Sequence, residues 1–203
     1  MVTVQAVLCD IDGVIRHWHE DRFDAVEREH NVPAGTLGEV AFARDVLYPA
    51  CVGEITAREW LQRTAQRLHE RGLPEPSATA LVGALGSNTF TIDHEVLDWL
   101  ATVRRQLPVW LFTNQTDDCV DRLRGTGVLE QVDGLVNSAE IGAIKPEPRA
   151  YRIAAERVGV ALEHCLFIDD RVENIEAAAQ LGMATVLYRT IADLDGVLNH
   201  PAG

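Results

Sequence analysis

The chain has 203 residues, 47% of them hydrophobic and 24% charged, a composition that suits one globular domain with a substantial core. Lysine and arginine number 18 against 31 acidic residues, and the resulting formal net charge of −13 argues against nucleic-acid binding. No run of eighteen apolar residues occurs and no basic leader precedes the first apolar segment, so we expect neither a membrane span nor a secretory signal. The four cysteines form no CxxC motif, which is typical of a reduced, cytoplasmic protein.

Short, continuous apolar runs that end in polar residues predict strands buried on both faces, as in a parallel sheet. Amphipathic helical stripes lie between them. Asp93 is placed to cap one of these helices, and a second begins at Pro148 and stops at Gly159. This alternation predicts an α/β fold with a Rossmann-like, doubly wound parallel sheet. The predicted strands are 4–9, 108–113, 165–168 and 184–187, with 134–136 as a weaker candidate.

The stretch 17–90 departs from this alternation, because it contains helical patterns but no convincing strand. Thr56 and Glu59 form a capping box that opens one of its helices. More than seventy residues are too many for one crossover, so we interpret 17–90 as an inserted, all-helical cap subdomain. The catalytic core is then formed by 1–16 and 91–203.

The first predicted strand ends in Asp10-Ile-Asp12-Gly13, which places two carboxylates at the carboxyl end of a strand. Open α/β sheets bind their ligands at that edge. The two side chains project to opposite sides, so one can face a metal and a phosphorus atom while the other lies over a departing oxygen. Gly13 lets the chain turn closely beneath a ligand. A second match to the same pattern, around Asp193, follows no buried run and predicts only a surface turn or terminal helix.

Two further segments end at the same edge if the sheet is parallel. The strand ending at Thr113 and Asn114 offers a hydroxyl and backbone amides suited to phosphate oxygens. Lys145 is the only lysine of the chain and precedes a rigid Pro-Glu-Pro turn, which indicates a point charge placed for a purpose.

Adjacent carboxylates, Asp169 and Asp170, end a third strand, and Asn174 follows on the next helix. Such a pair costs stability unless a cation or hydrogen bonds offset the repulsion. Together with Asp10 and Asp12, these residues supply the hard oxygen ligands that Mg²⁺ prefers. The sequence therefore predicts a magnesium site at this edge.

In their order and spacing, these segments resemble the four motifs of the haloacid dehalogenase-like (HAD) hydrolase superfamily. The resemblance extends from Asp10 to about Leu187 and is closest to the phosphatase and β-phosphoglucomutase branch, which has a helical cap inserted after the first motif. The segments that carry it are Asp10-x-Asp12-Gly13-Val14, the strand end at Thr113, Lys145-Pro-Glu-Pro and Phe167-Ile-Asp169-Asp170-Arg-Val-Glu-Asn174.

The resemblance implies that Asp10 is the nucleophile and forms an aspartyl-phosphate. It implies that Asp12 protonates the leaving oxygen and then activates water. Thr113 would hydrogen-bond the transferring phosphoryl group. Asn114, from its place at the same strand end, is a further candidate for substrate binding. Lys145 would balance its charge and keep Asp10 ionised.

The resemblance also implies a Mg²⁺ cofactor. Asp10, the backbone carbonyl of Asp12, and Asp170 would hold the ion, while Asp169 and Asn174 would orient the cluster. The division of roles between Asp169 and Asp170 stays open at this stage. The expected activity is hydrolysis of a small phosphorylated metabolite, such as a sugar phosphate, without a nucleic-acid or membrane partner.

There are four alternatives to this activity. The dehalogenase branch lacks a second carboxylate in its first motif, so Asp12 argues against it. The phosphonate-cleaving branch needs a cap lysine, and 17–90 contains none. A phosphomutase of the β-phosphoglucomutase type differs only in protecting the aspartyl-phosphate from water, and a non-catalytic binding module could use the same scaffold.

The segment that follows the first motif enters the insertion. Arg16 and Trp18 are candidates for contact with the leaving group, with packing against cap helices as the alternative. His17 and His19 could mimic a metal-binding pair, but no second pair completes it, so a solvated hinge is favoured.

Overall fold

The computed structural model describes residues 3–19, 21, 23–86 and 90–198; the remaining residues, including both ends of the predicted core, lie outside this description. The strands are β1 (Ala6–Cys9), β2 (Arg16–Trp18), β3 (Phe90–Ile92), β4 (Val109–Thr113), β5 (Gly134–Asn137), β6 (Cys165–Asp169) and β7 (Ala184–Leu187). The α-helices are α1 (Asp24–Glu29), α2 (Thr36–Ala41), α3 (Arg44–Cys51), α4 (Ala57–Glu70), α5 (Glu75–Leu85), α6 (His94–Val103), α7 (Cys119–Leu123), α8 (Ser138–Ile141), α9 (Pro148–Val158) and α10 (Val172–Gln180). Short 3-10 helices cover Leu129–Gln131, Leu162–His164 and Ile191–Leu194.

Five strands form one parallel sheet in the order β5-β4-β1-β6-β7. All five predicted strands are therefore confirmed, including the weaker one, and the fold is the expected Rossmann-like α/β architecture. The chain runs outward from β1 through β4 to β5, then crosses to β6 on the other side of β1. Ligands of open α/β sheets bind where the direction of winding reverses, and here that point lies at the carboxyl end of β1.

Alternate residues of each strand face opposite layers of helices. Val7, Cys9 and Leu111 pack in a cluster with the buried stripe of α6. Leu8 and Phe167 belong to a second cluster that includes the buried alanines of α9 and α10. Both faces of the sheet are thus covered, which is why these strands read as continuous apolar runs in the sequence.

The helix boundaries follow local signals. The carboxylate of Asp93 accepts hydrogen bonds from the backbone nitrogens of Glu95 (3.0 Å) and Val96 (3.1 Å), so it caps α6 as expected. The capping box of Thr56 opens α4. Gly159 ends α9 in the left-handed region at φ 76°.

The helical insertion, α1 to α5, has a hydrophobic core of its own, which includes Leu37, Trp60, Leu68 and Leu81. Its two junctions with the rest of the chain correct one expectation. The segment 17–90 was expected to hold no strand, but Arg16–Trp18 and Phe90–Ile92 pair as an antiparallel ribbon, β2 with β3. Both domain boundaries inferred from the sequence fall inside this ribbon, so paired strands join the insertion to the core.

The insertion rests directly on the core. The backbone nitrogen of Ala57, at the start of α4, donates to the Asp117 carboxylate at 2.7 Å. Tyr48 on α3 donates through its hydroxyl to Glu147 at 3.2 Å. Gly53 lies so close to the carbonyl oxygen of Ala139 that an added Cβ would come within 2.1 Å of it. These contacts hold the insertion over the carboxyl edge of the sheet.

Within the described residues, no helix is long and apolar enough to cross a membrane.

The second Asp-x-Asp-Gly match lies at the 3-10 helix Ile191–Leu194, where the Asp193 carboxylate accepts hydrogen bonds from the backbone nitrogens of Arg189 and Thr190. It is a local turn, as predicted.

Candidate active site

Asp10 lies at the carboxyl end of β1 and is 6% exposed. Its Oδ1 atom accepts a hydrogen bond from the backbone nitrogen of Ile11 (2.8 Å) and lies 3.0 Å from Lys145 Nζ. No described residue donates to its second oxygen, Oδ2. Burial raises the pKa of Asp10 to about 7 against the opposing effect of Lys145, and the neighbouring carboxylates Asp169 and Asp12 add to the rise. One oxygen of Asp10 is therefore held in place, and no described donor holds the other.

Lys145 is buried at the centre of this edge, 2% exposed. Its ammonium lies 2.7 Å from Asp169 Oδ2 and donates to the backbone carbonyl of Phe112 at 2.8 Å. Burial alone would lower the pKa of Lys145, but Asp10 and Asp169 outweigh it and raise that pKa above its ordinary value. The lone lysine is thus a fixed cation between two acids.

The lysine is positioned by its main chain as well. Asn114 accepts a hydrogen bond from the backbone nitrogen of Lys145 through Oδ1 and donates through Nδ2 to its carbonyl, both at 2.9 Å. Asn114 therefore holds the Lys145 loop to the end of β4. Thr113, the last residue of that strand, is buried beside it, at the edge where Asp10 lies.

The two adjacent aspartates of β6 differ in their surroundings. Asp169 is fully buried, and its oxygens accept from Asn174 Nδ2 (3.0 Å each), from the backbone nitrogen of Arg171 (2.8 Å) and from Lys145. Asp170 is half-buried, and no described side chain donates to its carboxylate; Arg189 donates to its backbone carbonyl instead. Burial and the charge of Asp169 raise the pKa of Asp170.

The Asp170 carboxylate lies over Gly13. A Cβ at position 13 would come within 2.2 Å of Asp170 Oδ2, and the residue has φ 81°. A side chain at this position would therefore displace Asp170 and strain the turn.

Asp12 is clamped by four donors. Arg16 donates to it through Nε (Oδ1, 2.7 Å) and Nη2 (Oδ2, 3.0 Å), and Trp18 donates through Nε1 to Oδ1 at 2.8 Å. The side-chain amide of Gln115 donates to Oδ2. Sequence reasoning missed Gln115; its place directly after the Thr113-Asn114 strand end was the one available signal.

Arg16 was a candidate for contact with the leaving group, with packing as the alternative. Its side chain is fully buried, and its guanidinium is turned towards Asp12. The physical reason is the tight turn after β1, which brings residue 16 back beside residue 12, four positions earlier. His17 lies on β2 of the ribbon, and its Nε2 atom is 3.7 Å from Asp93 Oδ2.

The acidic residues at this edge fit a divalent cation. Among the described residues, the only group of three or more potential metal-binding side chains is Asp10, Asp169 and Asp170, each offering one oxygen within 4.8 Å of the others. Their donors are all hard carboxylate oxygens, as Mg²⁺ prefers. With Asp12, the site has four carboxylates and two buried cationic side chains, Lys145 and Arg16. The acidic groups therefore outnumber the cationic ones, which favours binding of a divalent cation.

The family model of the haloacid dehalogenase-like hydrolases matches residues 4–182. The chain belongs to this family. All the motif residues described above lie inside the matched region, and the recognition made from the sequence is confirmed.

Individual relatives of this HAD-like hydrolase extend the comparison. A phosphatase of Mycobacterium tuberculosis is 39% identical over 98 residues, which cover 47% of this chain and 45% of that protein. The chain spans less than half the length of the curated relatives it matches.

Solved structures show the same fold. A HAD family enzyme of Bacteroides thetaiotaomicron, crystallised with magnesium and inorganic phosphate, superposes with a TM-score of 0.73 at 21% identity, covering 95% of this chain and 99% of that one. The L-2-haloacid dehalogenase of Xanthobacter autotrophicus superposes at 0.67 and 19% identity, covering 98% and 84%. Since a phosphate-binding enzyme and a dehalogenase both superpose, the fold does not choose between their activities.

Proposed function

We propose that this HAD-like hydrolase is a Mg²⁺-dependent phosphatase that hydrolyses a small phosphate monoester through an aspartyl-phosphate. The observation that carries the proposal is the pair of carboxylates at the end of β1. Asp10 has one oxygen held by Lys145 and the Ile11 amide and the other free, while Asp12 stands two residues further on. A nucleophile and a separate acid–base group are what two-step phosphoryl transfer requires.

In the first step, Asp10 Oδ2 attacks phosphorus and forms a new P–O bond. The ester P–O bond breaks, its electron pair goes to the leaving oxygen, and that oxygen takes a proton from Asp12. In the second step, Asp12 removes a proton from water as the water oxygen attacks phosphorus. The bond to Asp10 breaks, which restores the carboxylate and releases inorganic phosphate.

Lys145 and the end of β4 serve the phosphoryl group in this proposal. The ammonium of Lys145 lowers the pKa of Asp10 against the effect of burial, which favours the ionised nucleophile, and it offsets negative charge at the reacting centre. The Thr113 hydroxyl and the backbone amide of Asn114 would donate to phosphoryl oxygens. Asn114 acts through the Lys145 main chain, which it holds in place.

Asp10, Asp170 and the backbone carbonyl of Asp12 would hold the Mg²⁺ ion. Asp169 already accepts from Lys145, Asn174 and a backbone nitrogen, so we assign it, with Asn174, the role of orienting the cluster. When bound, the cation supplies Lewis-acid stabilisation of charge on the phosphoryl oxygens. It also gives a protein of net charge −13 a local positive field for an anionic substrate.

We expect Mg²⁺ to stabilise the protein, because binding to the folded state alone shifts the unfolding equilibrium. At about one hundred times Kd, the gain is about 2.7 kcal/mol, or about 5–10 °C in Tm for a chain of this size. Asp170→Asn should remove most of this shift and Asp98→Asn, at an exposed site on α6, should leave it intact. Thermal unfolding with EDTA and with added Mg²⁺ measures the shift. Equal Mg²⁺ shifts in the two variants would contradict the assigned ligand, and activity in EDTA would contradict the cofactor.

The function itself is tested by phosphate release from a panel of sugar phosphates, phosphoglycolate, nucleotides and acyl phosphates. We expect at least one ester to yield inorganic phosphate and its alcohol in equal amounts, with kcat in the range of about 1–10³ s⁻¹. Isomerisation of a sugar phosphate that needs a bisphosphate primer, without free phosphate, would identify a mutase instead. Failure on every ester with Mg²⁺ present would favour a binding module.

A further inference from the structure

Arg16 has a buried guanidinium whose hydrogen-bonding capacity is only partly used. Its side chain is fully buried, and its central carbon lies 4.7 Å from the ring centroid of Trp18 and 5.4 Å from that of Phe90. The third nitrogen, Nη1, is buried without a hydrogen-bond partner among the described residues. An unsatisfied buried donor costs stability, so an apolar side chain would serve packing between these rings better.

What Arg16 contacts explains its presence. It binds both oxygens of Asp12 in the bidentate geometry that only arginine offers, at 2.7 and 3.0 Å. Trp18 adds a third donor from the same strand. Both residues lie on β2, the ribbon strand that leads into the helical insertion, so the Asp12 carboxylate is fixed to that strand.

The fourth donor is of a different kind. Gln115 reaches Asp12 Oδ2 with a neutral amide at the end of a flexible side chain, while its backbone nitrogen is held by Asn137 (3.2 Å) and Ser138 (3.1 Å). A carboxylate has about four lone-pair positions, and the four donors occupy them all. For Asp12 to exchange a proton, one donor must leave. The Gln115 amide is uncharged, unlike the Arg16 guanidinium, and stands on a flexible side chain, unlike the rigid Trp18 indole, so it is the donor that can leave most readily.

We propose that Arg16 is a positioning residue for Asp12. It holds the carboxylate in one orientation. When substrate displaces the Gln115 amide from Oδ2, that oxygen then faces the leaving-group oxygen. This role rests on the phosphatase function proposed above, in which Asp12 gives its proton to the departing oxygen. Arg16 itself touches neither substrate nor phosphorus.

The test compares two esters that differ in their need for an acid. An alkyl phosphate leaves as an alkoxide that must be protonated, whereas p-nitrophenyl phosphate leaves as a stable phenolate. Arg16→Met keeps an unbranched stem between the rings but removes the donors. We expect it to lower kcat/KM about 100-fold for the alkyl phosphate and less than about tenfold for p-nitrophenyl phosphate, within the range of a misplaced general acid. Asp12→Asn should show the same selectivity, more strongly.

Two further variants separate positioning from folding. Arg16→Lys keeps the charge but loses the bidentate geometry, so we expect a smaller loss with the same selectivity; it carries the test alone if Arg16→Met does not fold. Arg122→Met is the matched control, because Arg122 makes the same kind of Nε contact with a carboxylate four residues away, Asp118, at 2.9 Å. It should show no selective loss.

Three outcomes would overturn the proposal. If kcat/KM falls equally on both esters in a folded Arg16 variant, Arg16 has a purely structural role. If kcat/KM does not fall on either ester, Arg16 does not position Asp12. If Asp12→Asn is not selective while the wild type is active, Asp12 is not the acid. The alkyl ester is therefore taken from the esters that the wild type hydrolyses in the panel, and a wild type that hydrolyses none of them, with Mg²⁺ present, would instead show that the proposed function has failed.

Discussion

Asp10→Asn is expected to lower kcat by about 10⁴-fold or more, while the protein remains folded. The amide can keep its oxygen in the Oδ1 position, where it accepts from the Ile11 nitrogen and Lys145. The nitrogen then replaces Oδ2, the oxygen that would attack phosphorus, and an amide nitrogen is no nucleophile. Burial raises the pKa of Asp10 to about 7, which shows that its charge is unfavourable there, so a neutral isostere should not reduce stability.

The measurement is kcat on the best substrate from the phosphate-release panel, with circular dichroism and Tm on the same preparation. Asp195→Asn makes the same change at an exposed position in the second Asp-x-Asp-Gly sequence and should retain wild-type turnover. A folded Asp10→Asn protein with activity within tenfold of the wild type would exclude Asp10 as the nucleophile.

Lys145→Met is expected to lower both stability and activity. It leaves Asp10 and Asp169 buried without their shared cation, and breaking a buried ion pair in this way costs about 3–5 kcal/mol. Arg157→Met removes an ion pair to Glu140 at 2.7 Å that is largely exposed, so it should cost at most about 1 kcal/mol. Urea unfolding of the two variants at pH 8 measures the difference.

The decrease in the free energy of unfolding caused by Lys145→Met should depend on pH. Lys145 lowers the pKa of Asp10, so its removal moves that pKa further above the value in the unfolded chain. An acid whose pKa is raised by folding binds its proton more readily in the folded state, so stability increases as pH falls through the raised pKa. The gap between variant and wild type should therefore narrow from pH 8 towards pH 5. A variant as stable as the wild type at pH 8 would contradict the electrostatic role of Lys145.

The sheet and several helices could be predicted because their signals are local. A strand buried on both faces needs a continuous apolar run, as in β4 and β6, and no distant residue has to be known to recognise it. The cap of α6 at Asp93 depends on backbone nitrogens two and three positions away. The β2–β3 ribbon was missed because each strand has three residues and pairs across the whole insertion, Arg16 with Ile92.

The same distinction between local signals and distant contacts applies to the residues of the site. Residue type and motif order were enough to select Asp10, Asp12, Lys145, Asp169 and Asp170, because hard oxygens and a lone lysine at strand ends suit few other uses. Which atoms meet could not be read from the chain. Gln115 reaches Asp12 across 103 positions, and the buried guanidinium of Arg16 pairs with that carboxylate. Such contacts depend on strand register, on the crossover from β5 to β6 and on the packing of the ribbon, all of which form only when distant segments come together.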